Sequence, residues 1–302
     1  GSPVSMPWID QVAGVVQLWY AGQEAGTALA DVLFGDVAPS GKLPLTFPKR
    51  FQDNPAFINY PGENGQVLYG EGLYVGYRYY DHKDVQPLFP FGFGLSYTTF
   101  EYANLRIDPV ETLAGQPVQI RLDVTNTGAR KGQEVVQLYV HDVEARLPRP
   151  DKELKAFAKI ALEPGETQTV QFTLDQDAFW YYDPQNEGWG VDPGVFEILV
   201  GASSRDIHLV GQVHLLPEHS NGNGGLHTAL PLRAVMENPQ GKSVLTRHFP
   251  NLINLPEVQT VLDFSLNDIA NLMPQEISPR KLAEVNADLA RIPSNGSNAE
   301  KQ

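Results

Sequence analysis

The spacing of apolar positions changes character several times along this chain. From Gln23 onward, Ala25, Ala28, Leu29, Val32 and Leu33 recur at the offsets of one helix face. A helix is predicted there, with Gly35 at the left-handed position that follows a helix C-terminus. Upstream, Ile9 to Tyr20 is mostly apolar, with β-branched residues at Val12, Val15 and Val16. A short helix followed by a buried strand fits, but periodicity alone leaves helix and strand open. Pro39-Ser40-Gly41 reads as a turn, and Leu43 to Phe47 as an extended piece broken by Pro44. Across 51–100 no period survives: seven of the 12 Tyr and six of the 14 Phe are interleaved there with seven Gly. An ordered connector packing on a neighbour is the expected role, and a binding rim is the alternative.

From about Phe100 to Leu216 the period becomes two. Val118, Ile120, Leu122 and Val124 alternate with polar residues, as do Val136, Leu138 and Val140, then Val170, Phe172 and Leu174, then Phe196, Ile198 and Val200. Turn clusters separate them at Asn126-Thr127-Gly128, Pro164-Gly165-Glu166, Asp183-Pro184 and Asp192-Pro193-Gly194. Half-buried strands divided by such turns predict an antiparallel β-sandwich. The run Ser220 to Gly225 reads as a flexible linker. Beyond it a short helix from Pro231 through Met236 is expected to stop at Asn238-Pro239. Ser265 and Asp268 read as an N-cap pair, and Ser278-Pro279 opens a helix with the stripe Leu282, Val285, Leu289 and Ile292. The last ten residues read as frayed. The expected fold class is therefore α+β in several parts: a partial α/β remnant at 1–50, an aromatic connector at 51–99, the β-sandwich at 100–216, and a linker with a helical tail at 217–302.

Composition narrows the function. The 302 residues carry 22 basic and 36 acidic side chains, a net charge of −14, so no nucleic-acid or anionic-membrane partner is expected. No apolar run reaches the roughly 20 residues of a membrane span. Gly and Pro contribute 27 and 24 residues, which favours short strands and turns. Cysteine is absent, removing disulfides, thiol nucleophiles and thiolate metal sites. The chain opens on Gly1-Ser2-Pro3-Val4 without an initiator Met, as a truncated or processed N-terminus would, and this leaves the compartment open.

Candidate chemistry is sparse. Seven His are scattered without metal-ligand spacing; His208 and His214 share a strand parity and read as a solvent-facing pair. Glu24 and Asp31 lie seven apart on the predicted helix and suit a solvated face. Glu71, in Tyr69-Gly70-Glu71-Gly72, is expected to pair with Arg78, a catalytic acid being the alternative; Asp10 has a similar standing. Hydrolysis of a glycosidic bond needs two carboxyls about 5–9.5 Å apart, and nothing local in the sequence supplies such a pair. Trp180, Tyr181, Tyr182 and Trp189 form an aromatic cluster whose expected role is edge-strand packing, with a polysaccharide-stacking platform as the alternative.

Several motifs together carry a resemblance. Gly1-Ser2-Pro3-Val4 with Met6-Pro7-Trp8, Gly22-Gln23-Glu24-Ala25-Gly26, Ala30 to Asp36 and Pro39 to Pro44 resemble the later part of glycoside hydrolase family 3. So do Tyr69 to Gly72, Gly76 to Asp81, and Phe89 to Tyr97. Val124 to Gly128, Val135 to Tyr139, Pro148, Lys152 to Leu154 and Pro164 to Glu166 are similar to that family's fibronectin type III-like module. The resemblance runs in order over roughly the first 215 residues. It implies a retaining β-glucosidase built of a barrel, an α/β sandwich and the fibronectin-like module. In it, an Asp on the barrel is the nucleophile and a Glu on the sandwich the acid/base. Both precede the Gly1-Ser2-Pro3-Val4 motif in the family pattern, so no residue of this chain inherits a catalytic role. Met6 and Trp8 are the substrate-adjacent candidates, with packing beneath the site as their expected role. No cofactor or metal is implied, and the implied partner is a β-glucoside or oligosaccharide held by upstream domains. A non-catalytic binding module and an interdomain spacer are the rival readings.

Overall fold

The computed structural model describes residues 1–184, 187–216, 226, 228, 230–253, 261–262, 264–272, 277–289 and 291–292. The chain divides into two units, Gly1–Pro217 and Glu218–Gln302.

In the first unit the alternating segments become strands. They are β1 (Phe100–Asp108), β2 (Glu111–Leu113), β3 (Val118–Asn126), β4 (Gly132–Asp142), β5 (Glu153–Leu162) and β6 (Thr167–Leu174). A short hairpin of β7 (Tyr181–Asp183) and β8 (Gly188–Gly190) follows, then β9 (Gly194–Ser203) and β10 (Asp206–Leu216). One sheet runs β1-β3-β6 and the other β2-β10-β9-β4-β5. Val118, Ile120, Leu122 and Val124 are fully buried between the sheets, as are Val136, Leu138, Phe196, Ile198 and Val200. Each contributes about 1.5–3 kcal/mol by leaving water. The sandwich is antiparallel except at one edge, where β2 runs parallel to β10. Alternation does not encode strand direction, and β2 is only three residues long. It leaves the first sheet after β1 and completes the edge of the second.

Residues 1–99 wrap this sandwich with little regular structure of their own. The predicted helix forms as α1 (Ala25–Phe34), closed by Gly35 at φ 82°. The Tyr97 hydroxyl donates to the Val32 carbonyl at 2.8 Å and Arg130 to the Gly35 carbonyl at 3.0 Å, holding the helix end against the sandwich. Ile9 to Tyr20 forms only a 3-10 turn at Ile9–Gln11, and no buried strand follows. Val12, Val15, Val16 and Leu18 are exposed because, among the described residues, no strand pairs with this segment. Pro39-Ser40-Gly41 takes no turn either. The chain bends at Pro44 and Leu45, as expected of a piece broken by Pro44, and its two ends pair with the 88–93 segment, Leu43 with Gly92 and Phe93 and Phe47 with Leu88 and Phe89.

The second unit has its own core of Leu232, Val235, Leu245, Leu266, Ile269, Val285 and Leu289. Its helices are α3 (Leu232–Glu237), α4 (Pro239–His248), α5 (Pro250–Ile253), α6 (Leu266–Leu272) and α7 (Pro279–Leu289). Asn238 ends α3 and caps α4, accepting from the Gln240 and Gly241 amides, so the expected stop is also a start. Ser265 and Asp268 exchange backbone and side-chain bonds ahead of α6, the predicted cap. The expected linker at 220–225 and the frayed end lie outside the described residues, as does Met273.

Candidate functional site

The connector is the part of the first unit where sequence chemistry and structure meet. Its helix α2 (Tyr77–His82) lies on the outer face of the five-stranded sheet. Tyr77 is wedged between Phe91 and Tyr139, with ring centroids 4.9 and 5.9 Å away, and its hydroxyl accepts from the Leu154 amide at 2.8 Å. Arg78 meets Glu153 at 2.9 Å, not Glu71, so the expected Glu71–Arg78 pair does not form. Glu153 also accepts from Arg149 at 3.2 Å and faces Lys155 at 3.5 Å. Arg149, buried, reaches on to Asp142 at 3.0 Å. Burial alone would lift the Glu153 carboxyl, but Lys155, Arg78 and Arg149 together hold it below the usual carboxylate range. Asp142 goes the other way: burial pushes it up and Arg149 only partly offsets that. A second knot ties Asp81 to Lys152 at 2.7 Å and to Arg205, whose guanidinium also donates to the Tyr80 carbonyl at 2.9 Å. Burial drives the Tyr80 hydroxyl up to about 12.

These contacts tie α2 to the sandwich. Each charged member of the α2 motif meets an opposite charge: Arg78 meets Glu153, Asp81 meets Lys152 and Arg205, and His82 meets Asp151 at 3.3 Å. Glu71 keeps one buried carboxylate oxygen without a hydrogen-bond partner, in a loop whose Leu68, Tyr69 and Leu73 are exposed. Gly92, at φ 79°, lets its backbone carbonyl accept from Gln137; a Cβ there would come within 2.1 Å of the Gln137 side chain.

The other candidates disperse. Met6 is buried at 5% exposure while Trp8 stands 42% exposed, so the two do not share an environment. Asp10 is exposed. Glu24 precedes α1 and accepts from the Thr27 hydroxyl at 3.2 Å, and Asp31, two turns along, is half-buried rather than fully solvated. The expected pairing of His208 and His214 by strand parity is broken by a bulge between Ile207 and Leu209: His208 stacks on the buried Tyr102, and His214 lies 3.2 Å from Glu111. Among the described residues no three His, Asp or Glu gather as metal ligands. No described helix is long and apolar enough to cross a membrane. In the aromatic cluster Trp180 is half-buried, whereas Tyr182 and Trp189 are exposed at 51% and 66%, so packing covers only part of it.

Sequence reasoning missed the partners of Arg78 and the Lys42–Glu134 pair, which lies at 2.9 Å with both side chains nearly buried. Lys42 and Glu134 sit in two motifs far apart in sequence, and only the fold brings them together.

Comparison with known proteins adds the following. The profile of the glycosyl hydrolase family 3 C-terminal domain matches residues 1–77, and that of the fibronectin type III-like domain matches residues 134–204. The chain is 53% identical over 215 residues to thermostable beta-glucosidase B of Acetivibrio thermocellus, covering 71% of this chain and 28% of that protein. A beta-glucosidase of Rhizobium radiobacter is 47% identical over 223 residues, covering 72% and 27%. Among solved structures, beta-glucosidase from Kluyveromyces marxianus in complex with glucose superposes with a TM-score of 0.68 at 45% identity, over 71% of this chain and 26% of that one. The GH3 beta-glucosidase of Bifidobacterium adolescentis gives 0.67 at 40% identity, over 79% and 35%. The chain thus spans about a quarter of the length of the curated relatives it matches.

Proposed function

We propose a supporting role in β-glucoside hydrolysis for this chain, which belongs to glycosyl hydrolase family 3 as a C-terminal portion of such an enzyme. The whole protein is read as a retaining β-glucosidase acting on terminal, non-reducing β-D-glucosyl residues. In this reading neither the nucleophile nor the acid/base belongs to the residues present. The chain's task is to brace the domain that carries the site.

The observation that carries this reading is the concentration of exposed apolar side chains in the first hundred residues. Of the 29 large apolar side chains exposed among the described residues, 22 precede Phe100. Phe34, Ile58, Tyr69 and Tyr20 are all more than 80% exposed. A surface of that extent marks an interface, and the remaining length of the relatives supplies something to cover it. Trp8, exposed within the opening motif, is the residue free to meet a sugar pocket, while Met6 is buried. The ion knots around Glu153 and Asp81 then hold α2, and with it the connector, rigidly on the sandwich.

The test is a chimera in which this chain replaces the matching C-terminal segment of the Acetivibrio enzyme. Release of p-nitrophenol from an aryl β-glucoside at a rate within about tenfold of the parent supports the reading. A folded but inactive chimera refutes it. The chain by itself is expected to release none, and turnover by the purified chain would overturn the non-catalytic assignment.

A further inference from the structure

The β7–β8 hairpin has two faces of different chemistry. On one, Tyr181 lies across from Gly190. Its hydroxyl donates to Asp192 Oδ1 at 2.8 Å and accepts from Arg146 Nη2 at 2.6 Å; Arg146 also donates to Asp183 at 2.6 Å. Arg149 donates to the carbonyls of Phe179 and Trp180, each at 3.3 Å, and so fixes the strand that enters the hairpin. The opposite face carries Trp180, Tyr182 and Trp189. The two Trp rings stack with centroids 6.2 Å apart and 26° between their planes. Tyr182, directly across from Trp189, meets it edge-on at 5.7 Å.

Polar clamps on one face therefore hold an aromatic stack open to solvent on the other. Tyr182 and Trp189 keep 51% and 66% of their surface in solvent, so burial within this unit is not what holds them in place. Pre-fixed rings lose little freedom when a ligand lands on them.

We propose that this face is a stacking subsite for a neutral, β-linked glucan chain. A β-linked glucose unit carries its substituents equatorially, so both faces of its ring are flat and C–H covered, the complement of an open Trp face. Neither strand places a charged side chain on this face, and the net charge of −14 disfavours polyanions such as nucleic acids or uronate polymers. The choice of a β-linked glucan rests on the β-glucosidase reading above; the rings themselves establish only a flat, neutral ligand.

Affinity electrophoresis of the full chain tests this, with soluble mixed-linkage β-glucan in the gel and dextran, an α-linked glucan, as the comparison. The chain is expected to be retarded by the β-glucan and not by dextran. Trp189→Ala is expected to weaken retardation about tenfold, and Trp189→Phe to restore most of it. Tyr182→Ala leaves the Trp stack in place and is expected to cost about threefold, which keeps the test decisive if Trp189→Ala disturbs the fold. Four results would overturn the proposal: no retardation of the wild type, equal retardation by dextran, Trp189→Ala and Tyr182→Ala both binding as the wild type does, or a dimer in sedimentation that Trp189→Ala dissociates. None of these readouts involves turnover. The subsite can therefore fail while the chimera stays active, and an inactive chimera would sink the hydrolytic reading without altering glucan retardation.

Discussion

Replacing Asn126 with alanine removes the most fully used side chain in the sandwich. Asn126 has no exposed surface, yet each of its polar atoms is engaged. Its amide nitrogen donates to the Arg130 and Leu162 carbonyls at 2.7 and 3.0 Å. Its amide oxygen accepts from the Thr98 hydroxyl at 2.6 Å and the Gly128 amide at 3.1 Å. Alanine takes this partner from the buried Thr98 hydroxyl and Leu162 carbonyl and from the part-buried Arg130 carbonyl and Gly128 amide. A single orphaned group costs about 1–3 kcal/mol, and neighbouring losses do not add fully, so about 3 kcal/mol is expected. For a unit of this size that lowers the melting temperature by about 6–12 °C. All four Trp residues, at 8, 19, 180 and 189, lie in the first unit, so intrinsic Trp fluorescence during urea or thermal unfolding reports on that unit selectively. Asn126→Asp sharpens the test: at neutral pH its carboxylate would face two carbonyl oxygens, which raises its pKa in the folded state above the usual value near 4. A raised folded pKa contributes stability that is present at low pH and lost as pH rises through it. Measured against Asn126→Ala to cancel other carboxylates, Asn126→Asp should therefore gain stability on acidification. A loss below about 1 kcal/mol for Asn126→Ala, or an Asn126→Asp variant as stable as the wild type at pH 7, would refute the account.

Other substitutions probe other parts. Glu153→Gln removes the carboxylate shared by Arg78, Arg149 and Lys155 and should cost about 3 kcal/mol by the same fluorescence assay. Because the folded Glu153 pKa is depressed, its contribution is present above the ordinary carboxylate value and lost as pH falls through the folded one; Glu153→Gln should flatten that acid limb. Gly92→Ala combines a positive φ with a clash against Gln137 and should destabilise the first unit by about 2 kcal/mol, a shift a urea midpoint would resolve. Ser265→Ala deletes the cap of α6 and should cost the helical unit about 1 kcal/mol, read by far-UV circular dichroism. Phe34→Asp, at an 85% exposed position, should leave the chain's own stability within about 0.5 kcal/mol yet lower the activity of the chimera; unchanged activity would argue against the bracing role.

Much of the site's chemistry was visible in the sequence as residue types but not as partnerships. Tyr77-Arg78-Tyr79-Tyr80-Asp81 stands out as an aromatic and charged cluster, yet Arg78 pairs with Glu153, 75 positions on, and Asp81 with Lys152 and Arg205. The nearer Glu71 was the natural guess from spacing alone. Ile9 to Tyr20 misled for a related reason: an apolar run reads as buried, and whether a partner strand exists is not written in the run itself. Trp180 and Trp189 stand out in the sequence, but their stacking and the openness of Trp189 depend on the hairpin register that sets Tyr182 opposite Trp189.

Alternation at Val118 to Val124 and its repeats determined the sandwich, because a strand's side chains must point alternately to its two faces wherever the chain later folds. Helix caps such as Ser265 with Asp268, and Gly35 after α1, were equally local and equally legible. Only the tertiary structure decided that β2 runs parallel to β10, which charges Arg78 and Lys42 neutralise, and which aromatic rings remain open. Those outcomes depend on segments distant in sequence meeting in space, and a pattern of neighbours along the chain carries no record of the meeting.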